Sequence, residues 1–374
     1  MNTIQIEPFI LAAAAAITVA FAYCASLFAS QSRRFLDHPN DRSSHALATP
    51  RIGGLAIIGA WLVGLFVIGA FSSNVDLARS AALMAALAAA ALGIGLIDDR
   101  AGLSPAWKFL GQVIVAAAFT GLFGPFLTFP VPYFGDVALP LLWGVVVTIL
   151  WIVGFMNAFN FMDGSNGLAA GTAAVGLAWI SVIAGGAGAS LLFASAFLLA
   201  LAATGFLPQN LKRGKLFMGD NGSQSLGFLI AAFGVLGVNW TGGRMTALIV
   251  PVIFAPLIFD VIWTLVCRLI RGSNIFEAHR EHLYQLMIRS GASHAAVAVF
   301  YMGMVSLSAG AAVLLLTLPY SLQWLVPALM AAAFSVGATL IHRHAISDGH
   351  FSKEPRTVSR AEREMHDASL HAAE

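Results

Sequence analysis

The chain predicts an all-α polytopic membrane protein, and three features carry that expectation. Of its 374 residues, 59% are hydrophobic and only 10% charged, with a mean hydropathy of +0.82; no ordinary soluble domain is that apolar. Apolar runs recur along the whole chain at the length, about 20 residues, that a helix needs to cross hydrocarbon. The few charged residues collect between those runs.

The runs cover 8–29, 53–72, 78–97, 109–128, 139–158, 168–186, 188–207, 223–240, 246–268, 295–317 and 320–342, so about eleven spanning helices are expected. The first, Pro8–Ala29, is too long and wrongly flanked for a signal peptide and is kept as a span. A loop holding Asp37, Arg42, His45 and Arg51 leads to Gly53-Gly54 at the start of the second. The third ends on Asp98-Asp99, and GLSPAWK, closing on Lys108, leads into the fourth. The fifth runs into Asn157–Gly167 (NAFNFMDGSNG). Only Ala184–Ala189 (AGGAGA) separates the sixth from the seventh, and a kink there instead of a turn would change the side of every later loop. Lys212–Gly222 (KRGKLFMGDNG) precedes the eighth, and Glu277–Gln285 (EAHREHLYQ) follows the ninth. A transmembrane domain over 1–345 and a charged cytoplasmic tail over 346–374 complete the expected organisation, the tail reading as a solvated helix or a disordered end.

Basic residues orient the bundle, because loops left in the cytoplasm retain Lys and Arg. With the N-terminus outside, eighteen of the twenty fall on inner loops or the tail, leaving only Arg79 and Arg244 outside. The predicted topology is therefore N-out and C-in, and it places the four polar loops on one cytoplasmic face. The net charge of +2 argues against nucleic acid as a partner, and Cys24 and Cys267, both inside apolar runs, suggest neither a disulfide nor a metal site. No internal repeat of the transporter kind is visible.

An acidic pair after a helix is ordinarily just a solvated end. Asp98 and Asp99, however, sit at a helix C-terminus, where the macrodipole disfavours negative charge. A divalent cation would compensate, and oxygen-only ligands favour Mg²⁺ or Mn²⁺. Adjacent carboxylates also titrate as a pair, so that one could act as a base. Asp220 reads either as an N-cap for the eighth helix or as a further metal ligand, with Gly219 and Gly222 allowing close approach. Asn157, Asn160, Asp163 and Asn166 recur every three residues and would share a face if the fifth helix continued; facing lipid would be costly, so a hydrated cleft or an interhelical ladder is expected. His279, Arg280, His282, Tyr284 and Gln285 offer donors for phosphate. So does Arg51, beside a helix N-terminus suited to an anion. Asp260, about two turns short of Arg268, is either functional or paired with a cation at the inner surface.

Taken together, PRIGG at 50–54, the DD pair with GLSPAWK, NAFNFMDG, FMGDNG and HREH make the chain resemble the polyprenyl-phosphate N-acetylhexosamine-1-phosphate transferases over roughly residues 30–290. The resemblance implies a bacterial inner-membrane enzyme that moves a sugar-1-phosphate from a UDP-amino sugar to polyprenyl phosphate, releasing UMP. It implies Mg²⁺ on Asp220 with Asp98 and Asp99, catalytic roles for Asp98, Asp99, Asp163 and His282, and substrate contacts from Asn157, Asn160, Lys108, Arg280, His279 and Arg51. A homodimer is allowed. Members acting on GlcNAc often read DGxDG where this chain has Asn166, and many carry DRxHxHH where it has HREHLYQ. That form resembles the branch that starts O-antigen or capsule chains with 6-deoxyhexosamines such as FucNAc or QuiNAc, with GlcNAc as the alternative donor. From a different class, a transporter or lipid flippase would need charges near mid-membrane and internal pseudo-symmetry.

Overall fold

The computed structural model describes residues 6–32, 35–37, 48–131, 134–211, 215–274, 279–347 and 349. Arg33, Arg34, Arg42, His45, Lys212, Arg213, Glu277 and the tail from 350 onward lie outside the described residues. Fourteen helices occur among those described: α1 Pro8–Ala29, α2 Gly53–Phe71, α3 Val75–Ala101, α4 Pro105–Phe123, α5 Leu141–Phe161, α6 Leu168–Gly186, α7 Ser190–Leu211, α8 Gly219–Thr241, α9 Ile249–Ile253, α10 Ala255–Ile270, α11 Leu283–Arg289, α12 His294–Thr317, α13 Tyr320–Gln323 and α14 Leu325–Ser347. Two small antiparallel pairings accompany them, β1 (Leu36–Asp37) with β2 (Thr49–Pro50) and β3 (Thr128–Val131) with β4 (Gly135–Ala138).

Among the described residues, ten helical stretches are long and apolar enough to cross a membrane, the last uniting α13 and α14. The expected ninth, at 246–268, is broken at Phe254 into α9 and α10. Pro256 explains the break: it has no N–H to continue the ladder, and its ring collides with the carbonyl one turn earlier. The AGGAGA segment is a turn and not a kink. Gly188 (φ +77°) takes the left-handed conformation, Ala189 N–H donates to the Ala184 carbonyl at 2.9 Å and Gly188 N–H to that of Gly185 at 3.0 Å. That bonding pattern stops α6 and reverses the chain into α7.

α8 is the axis of the bundle. Its spanning stretch is 100% buried, packed against α2, α3 and α5 and touching α4, α6, α7 and α9. A helix surrounded by protein can be the least apolar of the spanning helices, and Asn221, Ser223, Gln224 and Ser225 are all buried in its first two turns. Close approach there depends on missing side chains. A Cβ on Gly54 of α2 would lie 2.1 Å from Asn221 Oδ1, and one on Gly95 of α3 would lie 2.4 Å from Asn221 Cα. Backbone pairing fixes the same junction, with Gly53 and Gly54 N–H donating to the carbonyls of Phe217 and Met218 at 2.9 Å and Phe217 N–H to that of Pro50 at 2.8 Å. The PRIGG and FMGDNG motifs are thus two sides of one contact.

Candidate active site

The site lies at the N-terminal end of α8, and the acidic pair of α3 builds it by dividing its labour. Successive helical residues point about 100° apart, so Asp98 and Asp99 reach different partners. The Asp99 side chain is 0% exposed. Its Oδ1 accepts the N–H of Asp220 at 3.0 Å, and its Oδ2 those of the Asn221 backbone and side-chain amide at 2.9 and 2.6 Å. Asp99 therefore caps α8 from another helix, in the place a local Ser or Asp usually takes. The capping reading of Asp220 does not hold: it is the second residue of α8, which has no capping side-chain bond of its own.

Freed from capping, Asp220 turns toward α4 and α5. Its Oδ2 lies 2.6 Å from Lys108 Nζ and its Oδ1 accepts from Asn160 Nδ2 at 2.8 Å. Asp98 Oδ2 meets the same ammonium at 2.8 Å, while Oδ1 holds the turn after α3 through Leu103 N–H at 2.9 Å. The carboxylates that share a cation are therefore Asp98 and Asp220, not Asp98 and Asp99. Arg51 closes one side, with Nη2 3.5 Å from Asp99 Oδ1 and Nη1 3.6 Å from Asp37, and its carbonyl accepts from Asn221 Nδ2 at 2.8 Å.

The polar series at the end of α5 is divided because the helix stops at Phe161. Asn160 stays with Asp220 and Ser223 (2.8 Å each). Asn157, one turn deeper, donates to Gln112 Oε1 at 2.7 Å, and Gln112 in turn reaches Gln224 at 3.3 Å. Asp163 and Asn166 lie in the following loop and share no helical face with them. Burial raises the Asp163 carboxyl well above the usual range, Asp220 and Asp99 add to the effect, and Arg51 opposes it. Five carboxyl groups, Asp37, Asp98, Asp99, Asp163 and Asp220, here face two cations, Arg51 and Lys108.

A carboxyl whose folded pKa exceeds its unfolded one binds its proton more tightly when folded, so stability falls as pH rises between the unfolded value, about 4, and the raised one. Replacing Asp163 by Asn removes that penalty. Without divalent metal at neutral pH, the variant is expected to melt above the parent in detergent while losing turnover; a lower melting temperature would contradict it.

The HREHLYQ loop joins the cluster by a route not visible in the sequence. Tyr284, fully buried, donates its hydroxyl to the Phe161 carbonyl at 3.0 Å, and Gln285 Oε1 accepts the His282 N–H at 3.2 Å. Tyr284, expected as a phosphate donor, thus spends its hydroxyl on a structural tie, and Gln285 holds the loop through its oxygen. The His279 and His282 rings lie 5.0 Å apart. Burial, with His282 and Arg268 nearby, pushes the His279 imidazole down to about 4, so it is neutral at physiological pH. Arg280 Nη2 is buried without a hydrogen-bond partner, and no described contact brings Arg280 to the acidic cluster. Gln112 and Gln224 were not expected here; each stands four residues beyond a site residue, Lys108 and Asp220, and that helical spacing was the available signal.

A family model, "Glycosyl transferase family 4", matches residues 80–238, the stretch from α3 through α8 that carries Asp98, Asp99, Lys108, Asn160, Asp163 and Asp220. A Bacillus subtilis protein named as a probable undecaprenyl-phosphate N-acetylglucosaminyl 1-phosphate transferase is 33% identical over 268 residues, covering 69% of this chain and 71% of its own. The chain belongs to the polyprenyl-phosphate N-acetylhexosamine-1-phosphate transferases. Other relatives include a Mycobacterium tuberculosis decaprenyl-phosphate N-acetylglucosaminephosphotransferase (32% over 304 residues; 74% of this chain, 75% of the relative) and a Staphylococcus saprophyticus phospho-N-acetylmuramoyl-pentapeptide-transferase (27% over 256 residues; 63% and 75%). Membership in these transferases sets aside the transporter reading, and it agrees with a site whose charged groups gather at one end of the bundle.

Proposed function

We propose that this protein transfers an N-acetylated amino-sugar-1-phosphate from a UDP-sugar to undecaprenyl or a similar polyprenyl phosphate, at the cytoplasmic face of a bacterial inner membrane with its N-terminus outside. The product, a lipid diphosphosugar, would begin an O-antigen or other envelope polysaccharide. The observation that carries the reading is the convergence of Asp98 and Asp220 on Lys108 Nζ, at 2.8 and 2.6 Å, beside Asp163, whose carboxyl burial and then the charge of Asp220 push above the usual range. That arrangement marks a place where positive charge is required.

Mg²⁺ fits the donor set. The available ligands are hard oxygens, and among the described residues no three His, Cys, Asp or Glu side chains converge to hold a metal alone. Mg²⁺ typically takes one or two carboxylates together with substrate phosphates. Asp220 and Asp98 would hold it, and when bound it would offset the charge of two reacting phosphates. The remaining work falls to the chain. Lys108 would hold a pyrophosphate oxygen, and Asp98 or Asp163 would accept any proton left on the lipid phosphate. An oxygen of that phosphate attacks the phosphorus attached to the sugar, the bond from that phosphorus to the bridging oxygen breaks, and the bridging oxygen leaves with UMP.

For the donor we favour a 6-deoxyhexosamine such as FucNAc or QuiNAc. Its support is the HREHLYQ loop, where Tyr284 and Gln285 stand in place of a histidine pair and hold Phe161 and His282. The names of the relatives favour GlcNAc as the second reading. UMP release by purified protein with undecaprenyl phosphate, Mg²⁺ and UDP-linked GlcNAc, GalNAc, FucNAc or QuiNAc separates the two. Release with only a 6-deoxy donor, absent in EDTA and in Asp220→Asn, is expected; release with GlcNAc discards the donor assignment, and no release with any donor discards the reaction.

A further inference from the structure

Asp260 is an ionisable residue inside α10, fully buried, and of the two readings open for it, pairing with an inner-surface cation is not met by Arg268. Arg268 binds Glu281 at 2.9 Å and the Asn274 carbonyl at 2.6 Å. Five donors from three helices and the loop before α11 converge on Asp260 instead. Oδ1 accepts from Leu283 N–H at 2.8 Å, from Thr264 Oγ1 at 3.3 Å and lies 3.2 Å from His282 Nδ1. Oδ2 accepts from the Tyr301 hydroxyl at 2.6 Å and Tyr284 N–H at 3.2 Å.

Two of these bonds merely cap α11, which an amide or hydroxyl would do equally well. Burying a carboxylate costs several kcal/mol more than burying a neutral polar group, so the cap alone does not explain the charge. The imidazole does. A carboxylate against Nδ1 holds the proton on that nitrogen and leaves the ring's lone pair on Nε2. The ring is also held in place by its neighbours, with Tyr284 stacked at 5.9 Å, Phe161 at 5.9 Å and His279 at 5.0 Å. Through Tyr284, whose hydroxyl binds Phe161 two residues before Asp163, the same anchor sets the distance between the HREHLYQ loop and the acidic cluster.

We propose that Asp260 is a positioning residue that fixes His282 as the Nδ1–H tautomer and presents its Nε2 to the pyrophosphate of the nucleotide-sugar donor. The pyrophosphate part rests on the function proposed above; the tautomer does not. Titratable groups around the His282–Asp260 pair are Tyr284 from α11 and His279 from its own loop, against the ring, and Tyr301 from α12, against the carboxylate.

The test is ¹⁵N spectroscopy of protein selectively labelled in histidine, in detergent, above the imidazole titration range, with His282→Gln identifying the signal. The parent is expected to show His282 as Nδ1–H, with the signal moving toward a tautomer mixture in Asp260→Asn. In the same variant kcat/KM for the nucleotide sugar should fall about 10–100-fold, the range for losing a group that orients a functional histidine, while KM for polyprenyl phosphate stays within twofold. An Nε2–H tautomer in the parent overturns the proposal, as does Asp260→Asn with unchanged tautomer and turnover. Should Asp260→Asn fail to fold, the parent spectrum and that of Tyr301→Phe, which keeps the His282 contact and should keep the Nδ1–H signal, still decide. Nδ1–H with no transfer from any donor would count against the reaction and leave the tautomer standing.

Discussion

Lys108→Met is expected to lower turnover by about 10²–10³-fold, the usual effect of removing one preorganised group that stabilises developing charge, and to lower the Mg²⁺ concentration giving half-maximal activity. Both follow from one geometry. The ammonium stands between Asp98 and Asp220 at 2.8 and 2.6 Å, so it neutralises the two carboxylates proposed to hold the metal and is itself the proposed phosphate donor. Removing it costs the phosphate contact, hence the fall in rate. It also leaves two uncompensated carboxylates side by side, which attract a divalent cation more strongly than before. Met preserves the length and apolar stem of the side chain, limiting the packing change. The measurement is the initial rate of UMP release across a Mg²⁺ titration in parent and variant. A variant that needs more Mg²⁺ than the parent would show that Lys108 does not share the metal's carboxylates.

How much of this site was legible in the sequence depends on the range of the interaction. Spanning helices are set by length and apolarity, a local property, so their positions could be read directly, except where Pro256 breaks the ninth. The gathering of Asp98, Asp99, Lys108, Asn160 and Asp220 at one end of the bundle was also legible, because polar residues collected at the ends of apolar runs have few other places to go. Roles inside it were not. Asp98 and Asp99 are adjacent and chemically identical; only the approach of α8 makes one a cap and the other a cleft residue. Tyr284 reads as a phosphate donor until α5 ends at Phe161 and supplies a carbonyl for its hydroxyl. Asn157 and Asn160 share a helix, yet Gln112 binds one and Asp220 the other. Each of these depends on a partner at least 45 residues away in sequence, which no local pattern encodes.

The same dependence on inter-helix approach gives the largest expected effect on folding, and it comes from a pair of glycines two residues apart on α3. A Cβ at Gly95 would stand 2.4 Å from Asn221 Cα, 2.5 Å from the Asp220 carbonyl oxygen and 2.6 Å from Asn221 N. All three are backbone atoms of the first turn of α8, so no side-chain rotation relieves the clash and the two helices must separate. Overpacking of this kind typically costs about 1–3 kcal/mol and sometimes more, and here the separation also pulls Asp99 off the N–H groups it caps and Asp98 away from Asp220, with which it shares Lys108. Gly93, on the same helix, has nothing within 4 Å of its Cβ position. Gly93→Ala therefore acts only on helix propensity and is expected to be neutral or stabilising by up to about 1 kcal/mol. Yield and melting temperature in detergent should accordingly be unchanged or higher for Gly93→Ala and severely reduced for Gly95→Ala. Whatever Gly95→Ala protein does accumulate should be inactive even at saturating substrate, because the charges of the site no longer meet. Equal behaviour of the two variants would mean that contact between α3 and α8 is not what assembles the acidic cluster.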